Sequence, residues 1–417
     1  MTELLLPAGS VEKMRYAFRY GADAVYLGLG DFSLRTMRKG DIITDENLKS
    51  AVDEAKSLNK KVYLTLNIFA YDDDIKKLFS ILNVIASAKP HALIVSDFGI
   101  LNIVKRELKN IDIHISTQTN TLNSEAVKFW RDLGANRVIL ARELSFKQIE
   151  AIRKNVQDIE LEMFIHGAQC MSYSGRCLLS DYMTGFERKA NKGGCAQPCR
   201  WSYKLLEETR PNEYFEIIQD DRGSHILSTK DLCLVKYLKQ LTDIGIDSFK
   251  IEGRTKSLYY VSAAAKTYRM VMDGKISADE GYIELLKIGN RGYTTGFFLG
   301  CNDSSTYSYD ISKGLAGADF LGIVRSASDN GFEVLMKNKV YLNDEVEIIT
   351  PKYSSKAKVL EIINDKREDN SVANTNDTVI LRFECEDDRW QEEASYALIR
   401  TTGIKNENIN KEITLCD

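Results

Sequence analysis

No stretch of the sequence approaches the roughly 18 uninterrupted apolar residues of a membrane-spanning helix, so a helical membrane protein is not expected. The opening residues Met1-Thr2-Glu3-Leu4 carry no basic cluster, and the apolar run Leu4–Leu6 is too short for the core of a signal peptide. The expectation is therefore a cytoplasmic protein with no membrane partner. A large positive excess is also missing. The formal net charge is −4, which excludes a general nucleic-acid coat but leaves room for a local basic patch that handles one RNA. Several common catalytic signatures are absent: His-Glu-x-x-His, Gly-x-Ser-x-Gly and Gly-x-x-x-x-Gly-Lys. Their absence removes the zinc-protease, nucleophile-elbow and phosphate-loop readings.

What is present is an ordinary globular composition, 44% apolar and 28% charged over 417 residues, enough chain for two domains. Short apolar runs alternate with amphipathic stretches through the first 255 residues. The runs read as strands at Glu3–Ala8, Ala24–Leu29, Lys61–Asn67, Ala92–Asp97, Asp112–Gln118, Arg137–Ala141, Ile159–His166 and Ser248–Glu252. Most are apolar on both sides, as buried parallel strands are. Helical spacing fills the gaps, for example over Val11–Tyr20, Glu46–Leu58, Ile75–Ala86, Ser124–Leu133 and Asp231–Thr242.

One joint recurs, in Gly21-Ala22-Asp23, Gly134-Ala135-Asn136 and Gly245-Ile246-Asp247. Glycine suits the left-handed residue that stops a helix, and Asp or Asn suits the turn into the next strand. Eight strands joined in this way give a (β/α)₈ barrel of the TIM type. The rival is an open doubly wound sheet. It is disfavoured because Leu6-Pro7-Ala8-Gly9-Ser10, after the first strand, has a single glycine and no dinucleotide loop.

The expected layout is a barrel over residues 1–300, with a cysteine-bearing insert at 167–230, and a small all-β barrel domain at 316–405. The insert is expected to hold a hairpin from Tyr203–Leu206 and Tyr214–Ile218. The helix Tyr259–Met272 is expected to pack on the barrel. In the tail, short alternating runs at Phe320–Val324, Gly331–Met336, Asp344–Ile349 and Val379–Phe383 carry the all-β reading, and Asn364–Asp377 reads as a flexible loop.

The cysteines are the strongest chemical signal. Cys170, Cys177, Cys195 and Cys199, half of the eight, fall within residues 170–199, and Cys233 follows. In a reducing compartment such clustering points to metal or redox chemistry rather than to disulfides. The spacings C-x₆-C, C-x₁₇-C and C-x₃-C lack the paired knuckles of a structural zinc site. An iron–sulfur centre is the leading reading, with zinc and unligated thiols as the alternatives. Cys301, Cys385 and Cys416 stand alone and read as structural.

In a barrel, functional side chains sit at strand C-termini. Those positions here hold Pro7, Asn67, Asp97, Gln118, Arg142, Glu143, His166, Lys250, Glu252 and Arg254. The plain alternative is that a barrel mouth is solvated and polar anyway. His166, Arg142 and Glu143 are better catalytic candidates than Asp97, and Asn67, Gln118, Lys250, Glu252 and Arg254 are candidate substrate contacts. Basic and aromatic residues interleave around the cysteines, at Arg188, Lys189, Lys192 and Arg200-Trp201-Ser202-Tyr203-Lys204, and again at Arg35–Lys39. That pattern suits RNA contact through Arg200 and stacking on Trp201; a solvated face with one buried Trp is the alternative.

At the cysteine segment the chain resembles the peptidase U32, or collagenase-like protease, family. The resemblance rests on Glu162-Met163-Phe164-Ile165-His166-Gly167-Ala168-Gln169-Cys170 and on Gly175-Arg176-Cys177-Leu178-Leu179-Ser180. It extends to Glu3–Gly9, Gly21–Gly28, Cys195–Trp201, Lys230–Cys233 and Asn290–Phe297, and so covers nearly the whole chain. Gln169 departs mildly, standing where an aliphatic residue is commoner.

Length and tail are most similar to the branch that forms 5-hydroxyuridine at the wobble position of tRNA. The resemblance implies tRNA as partner, prephenate as co-substrate and hydroxyl source without O₂, and a [4Fe–4S] cluster. Carried over by position, Cys170, Cys177, Cys195 and Cys233 are the implied ligands, with Cys199 in reserve. Arg142, His166 and Arg254 would then face the prephenate carboxylates. A second subunit of the same family is a further candidate partner. The competing functions are a peptidase, for which no nucleophile–base pair is legible, and a non-catalytic iron–sulfur binding module.

Overall fold

The computed structural model describes residues 2–33, 43–170, 172–173, 177–185, 187–188, 190–192, 194–200, 218–220, 223–225, 229–300, 317–328, 331–364 and 368–403. The side chains of Lys192 and Arg200 lie outside the described set. So do Arg35–Lys39, Arg176, Lys189, Trp201, residues 203–217, Cys301 and Cys416. These described residues form two compact units. One comprises Met1–Phe18, Ala22–Lys256 and Asn290–Gly314; the other comprises Arg19–Gly21, Ser257–Gly289 and Leu315–Asp417.

The first unit is built on a closed parallel barrel. Its strands are β1 (Glu3–Pro7), β2 (Ala24–Gly28), β3 (Lys61–Leu66), β4 (Ala92–Val95), β5 (Asp112–Ile115), β6 (Arg137–Ile139), β7 (Glu160–Gly167) and β11 (Ser248–Ile251). β1 to β7 pair in chain order, and β11 pairs with both β7 and β1 to close the ring. Helices α1 (Val11–Arg19), α2 (Asp45–Ser57), α3 (Asp72–Ala88), α4 (Phe98–Glu107), α5 (Ser124–Asp132) and α6 (Phe146–Asn155) alternate with the strands. This is the expected TIM-type barrel. Six of the eight strands end one or two residues earlier than the apolar runs, β5 ends three earlier at Ile115, and β7 runs one residue further, to Gly167.

The repeated joint works as its chemistry requires. Gly21, Gly134 and Gly245 hold φ values of +116°, +84° and +89°, a region that costs other residues strain. The next-but-one residue then caps a neighbouring strand. The Leu4 N–H donates to the Asp23 carboxylate at 2.9 Å, Ile113 N–H to Asn136 Oδ1 at 3.0 Å and Leu161 N–H to the Asp247 carboxylate at 2.8 Å.

The segment between β7 and β11 departs from the expectation in one respect. Asp231–Thr242 is not one helix. Asp231–Cys233 forms strand β10, antiparallel to the end of β7 (Leu232 opposite Gly167, Cys233 opposite His166) and parallel to β12 (Tyr293–Thr294). The α-helix, α8 (Leu238–Asp243), starts later. An open edge at the extended end of β7 overrides the helical spacing of this short stretch. Before β10 lie the short helix α7 (Leu179–Met183) and a small ribbon, β8 (Ile218–Asp220) paired with β9 (Gly223–His225).

The second unit holds a closed antiparallel barrel in the order β13-β14-β19-β17-β16-β20. Its strands are β13 (Phe320–Ser328), β14 (Gly331–Met336), β16 (Glu345–Ile349), β17 (Ser354–Ile363), β19 (Thr378–Cys385) and β20 (Leu398–Thr401). Val334, Val346, Ile348, Val359, Leu381, Trp390 and Ile399 fill its core. The expected loop Asn364–Asp377 contributes β18 (Val372–Ala373), paired with β15 (Val340–Tyr341).

Helices α9 (Leu258–Met272) and α10 (Ala278–Leu286) group with this unit. The Tyr259 ring stacks on Phe320 at 5.0 Å, Lys266 donates to the Thr350 and Tyr353 carbonyls, and the buried Arg400 pairs with Glu284 and Glu347.

Candidate active site

The interior of the parallel barrel is charged rather than wholly apolar. At the N-terminal end of the strands, Glu3 accepts from Arg137 at 2.6 Å, Tyr63 at 2.6 Å and Ser248 at 2.9 Å. Arg137 also reaches Glu162 at 2.9 Å, and Lys250 reaches the other oxygen of Glu162 at 2.7 Å. Burial alone would raise the Glu3 carboxyl, but Arg137, Tyr63 and Lys61 together outweigh it and hold Glu3 below the usual carboxylate range. Burial pushes the Lys250 ammonium down, opposed by Glu162. Lys250 was a candidate substrate contact; it lies within this network, with Nζ 4.6 Å from the Tyr26 ring centre and 5.3 Å from that of Phe164. His114, fully buried against Tyr63, is held neutral by burial and by Arg137.

Above this network the strand ends bring together most of the residues picked from the sequence. The Arg142 guanidinium lies 3.9 Å over the Phe164 ring. It donates to the Ala168 carbonyl at 2.9 Å and to Glu252 at 3.5 Å. Glu252 also accepts from the Gly253 N–H at 3.0 Å. Gly167, at φ +104°, permits this packing, since a Cβ there would fall 2.4 Å from the Glu252 carbonyl oxygen.

A second guanidinium, that of Arg254, is buried against Ser33 and Thr65, donating to both hydroxyls, with the Thr65 contact at 3.1 Å. Gly28 makes the room: a Cβ there would lie 2.8 Å from Arg254 Nη1 and 2.7 Å from Ser33 Oγ. Glu143 is half-buried, burial raises its carboxyl, and its Oε2 finds no partner among the described residues. Gln118 sits in a one-turn helix at Thr117–Thr119 with a buried Oε1 in the same condition. Asn67 belongs to the backbone of the mouth, where its carbonyl accepts from Ser96.

Asp97 has a structural task, capping α4 through Ile100 N–H at 3.0 Å. His166 is buried against the Tyr293 ring at 5.3 Å, and burial lowers its imidazole to about 3, so the ring is neutral. Ser33 and Thr65 escaped the sequence reading, because hydroxyls at strand ends carry no pattern of their own.

The cysteines line the segment that follows β7. Cys170, Cys177, Cys195, Cys199 and Cys233 carry thiols rather than disulfides. Local hydrogen bonds shape their surroundings. Gln197, at φ +59°, points its N–H at Cys195 Sγ from 3.3 Å, a contact of the kind that tunes cluster potentials. Arg188, read from the sequence as an RNA contact, donates to the Gly194 carbonyl at 3.0 Å and the Cys195 carbonyl at 3.2 Å. Ser180 accepts from Ala196 N–H at 2.9 Å.

The donor set, thiols with N–H groups close by, suits an iron–sulfur centre. Among the described residues, however, no three His, Cys, Asp or Glu side chains are gathered as ligands of one metal ion. A multi-iron cluster spreads its thiolates farther apart than a single ion does.

Residues 9–307 match the family described as Peptidase family U32, and residues 317–400 match Peptidase family U32 C-terminal domain. The chain is 38% identical over 415 residues to the tRNA hydroxylation protein P of Haemophilus influenzae, covering 88% of this chain and 89% of that one. It is 36% identical over 394 residues to the Escherichia coli protein of the same name, covering 84% and 86%. A Porphyromonas gingivalis protein named collagenase is 30% identical over 376 residues, covering 84% and 86%. No helix among the described residues is long and apolar enough to cross a membrane. With one family matched along most of the parallel-barrel unit and its companion domain along the antiparallel barrel, the chain belongs to peptidase family U32.

Proposed function

We propose that this chain is an RNA hydroxylase that forms 5-hydroxyuridine at the wobble position of tRNA. In this reading it works without O₂, takes prephenate as co-substrate and holds a [4Fe–4S] cluster on Cys170, Cys177, Cys195 and Cys233. The observation that carries the reading is one coincidence. The chain carries a run of cysteines directly after β7, at the same barrel end as two guanidiniums, Arg142 largely and Arg254 wholly buried. The relatives named for tRNA hydroxylation support it.

Replacing a ring C–H by C–OH removes two electrons from the base. The reaction therefore needs an oxygen donor and an external two-electron acceptor, to which an iron–sulfur centre held by the cysteines would relay electrons singly. The chain's own residues bind and orient. Guanidinium forks match carboxylates in shape and charge, so Arg142 and Arg254 suit a small dicarboxylate at the mouth. Glu143, with its carboxyl raised by burial, is the candidate for moving a proton. Gln118 offers a buried, unsatisfied carbonyl oxygen to a base edge. Beside the thiols, Tyr173 is 51% and Tyr182 76% exposed, a stacking surface for unpaired bases. Arg200 and Trp201 extend it in sequence.

The test is mass spectrometry of tRNA nucleosides from a strain lacking the gene. Loss of 5-hydroxyuridine and its derivatives is the expected result. Unchanged tRNA, with loss of a peptide-cleaving activity, would support the peptidase reading that the name of the collagenase relative suggests.

A further inference from the structure

Arg291 and Asp231 form an ion pair that belongs to none of the eight barrel strands, with side-chain exposures of 13% and 1%. We propose that Arg291 is a positioning residue for the thiol centre: its guanidinium braces the Thr229–Asp231 stretch, which holds the Gln169 carbonyl beside Cys170 through the Thr229 hydroxyl and opens the strand presenting Cys233. The inference rests on the cysteine-ligated cluster proposed above.

Each link is a contact. Arg291 Nη2 donates to the Asp231 carboxylate, and Arg291 Nε donates to the Thr229 carbonyl at 3.1 Å. The Thr229 hydroxyl in turn donates to the Gln169 carbonyl at 3.1 Å, one residue before Cys170. Asp231 opens β10, which ends at Cys233 and pairs there with His166. The turn that carries Arg291 grips the same strand from its other edge. Asp231 N–H donates to the Gly292 carbonyl at 2.9 Å, and Asp231 and Leu232 lie opposite Tyr293 and Thr294. Asn290 shapes this turn by accepting from Gly292 N–H at 2.9 Å. Farther on, Gly296 leaves space for the Gln169 amide, which a Cβ would approach to 2.7 Å.

Cys170 and Cys233 lie on opposite sides of a long insert, so the polypeptide linking them does not set their separation. The pairing of β10 with the end of β7 and the Thr229–Gln169 hydrogen bond set it, and Arg291 braces the stretch from which both start. Arginine is required because its rigid planar group donates in two directions at once, to a carbonyl and to a carboxylate. A lysine at the same position offers a single nitrogen.

The test uses the full chain prepared anaerobically and reconstituted with iron and sulfide. Parent, Arg291→Lys and Thr229→Val are compared by iron and labile sulfide per chain, by visible absorption and by the melting midpoint of the metal-free protein. Arg291→Lys keeps a cation on Asp231, and Thr229→Val removes only the hydroxyl link, so both retain the buried charge balance. Arg291→Lys should retain iron less tightly by on the order of 10-fold or more, with Thr229→Val intermediate and both melting like the parent. Parent-level iron in both variants overturns the inference, as does an iron loss matched by an equal fall in metal-free stability. A parent chain that takes up no iron overturns the cluster itself, which is a separate and recognisable failure.

Discussion

Arg142 covers the face of Phe164, its guanidinium carbon 3.9 Å from the ring centre. From there it holds the Ala168 carbonyl at 2.9 Å, two residues before the first cysteine. The stack fixes the plane of the guanidinium, and the plane fixes the direction of its N–H groups. One side chain thereby joins the barrel mouth to the thiol segment.

Substituting Arg142 with lysine keeps the charge and removes the stacked plane and the fork. A charge-assisted hydrogen bond of this kind contributes about 1.5–3 kcal/mol, so hydroxylation efficiency should fall roughly 10- to 100-fold. Steady-state kinetics with varied prephenate, alongside thermal melting, checks this; unchanged kcat/KM would remove Arg142 from the site.

Glu162 is wholly buried between Arg137 and Lys250. Replacing it with glutamine leaves the buried Lys250 without its paired carboxylate, while Arg137 keeps Glu3, a loss of about 3–5 kcal/mol for a broken buried pair. Urea unfolding of the variant should show that loss. A change below about 1 kcal/mol, the scale of a surface pair, would mean that water reaches the barrel interior.

Glu3 gives the acid limb of stability a specific cause. Its folded carboxyl titrates below the ordinary value near 4.5, because Arg137, Tyr63 and Lys61 outweigh the effect of burial. A depressed carboxyl contributes stability above the unfolded value and loses it as pH falls through the folded one. Glu3→Gln should therefore be less stable than the parent at neutral pH, and the difference should shrink below pH 4.5. A gap that stays constant between neutral and acid pH would contradict this.

Gly167→Ala would strain the join between β7 and the cysteine segment. The residue holds φ +104°, and the added methyl carbon meets the Glu252 carbonyl oxygen at 2.4 Å. Strain on the order of 1–3 kcal/mol follows from the backbone region alone. The expected result is a lower melting midpoint and faster alkylation of Cys170 in the metal-free protein, read by peptide mass spectrometry. Parent-like values of both would show that the backbone relaxes without cost.

The barrel was legible because its signals are local. Period, apolarity and the glycine–Asx joint fix each strand, and all eight formed close to where the residues indicated. The mouth was legible in outline because strand ends are fixed once the strands are. Asp231–Cys233 was misread because its fate depends on an unpaired edge of β7 and on Arg291, both distant in sequence. The same holds for Ser33, Thr65 and Arg291 itself, whose roles arise only when Arg254 or Asp231 is folded against them. The pairing of Lys250 with the buried Glu162 was likewise not legible, because the two residues stand on different strands.

The most direct measurement is the 5-hydroxyuridine content of tRNA in a strain lacking the gene, complemented with single cysteine-to-serine variants. Cys170→Ser, Cys177→Ser, Cys195→Ser and Cys233→Ser should each fail to restore the nucleoside. Cys385→Ser should restore it, because that thiol lies in the antiparallel barrel against Trp390. Full restoration by two or more of the four variants would contradict a thiol-held centre at the barrel mouth.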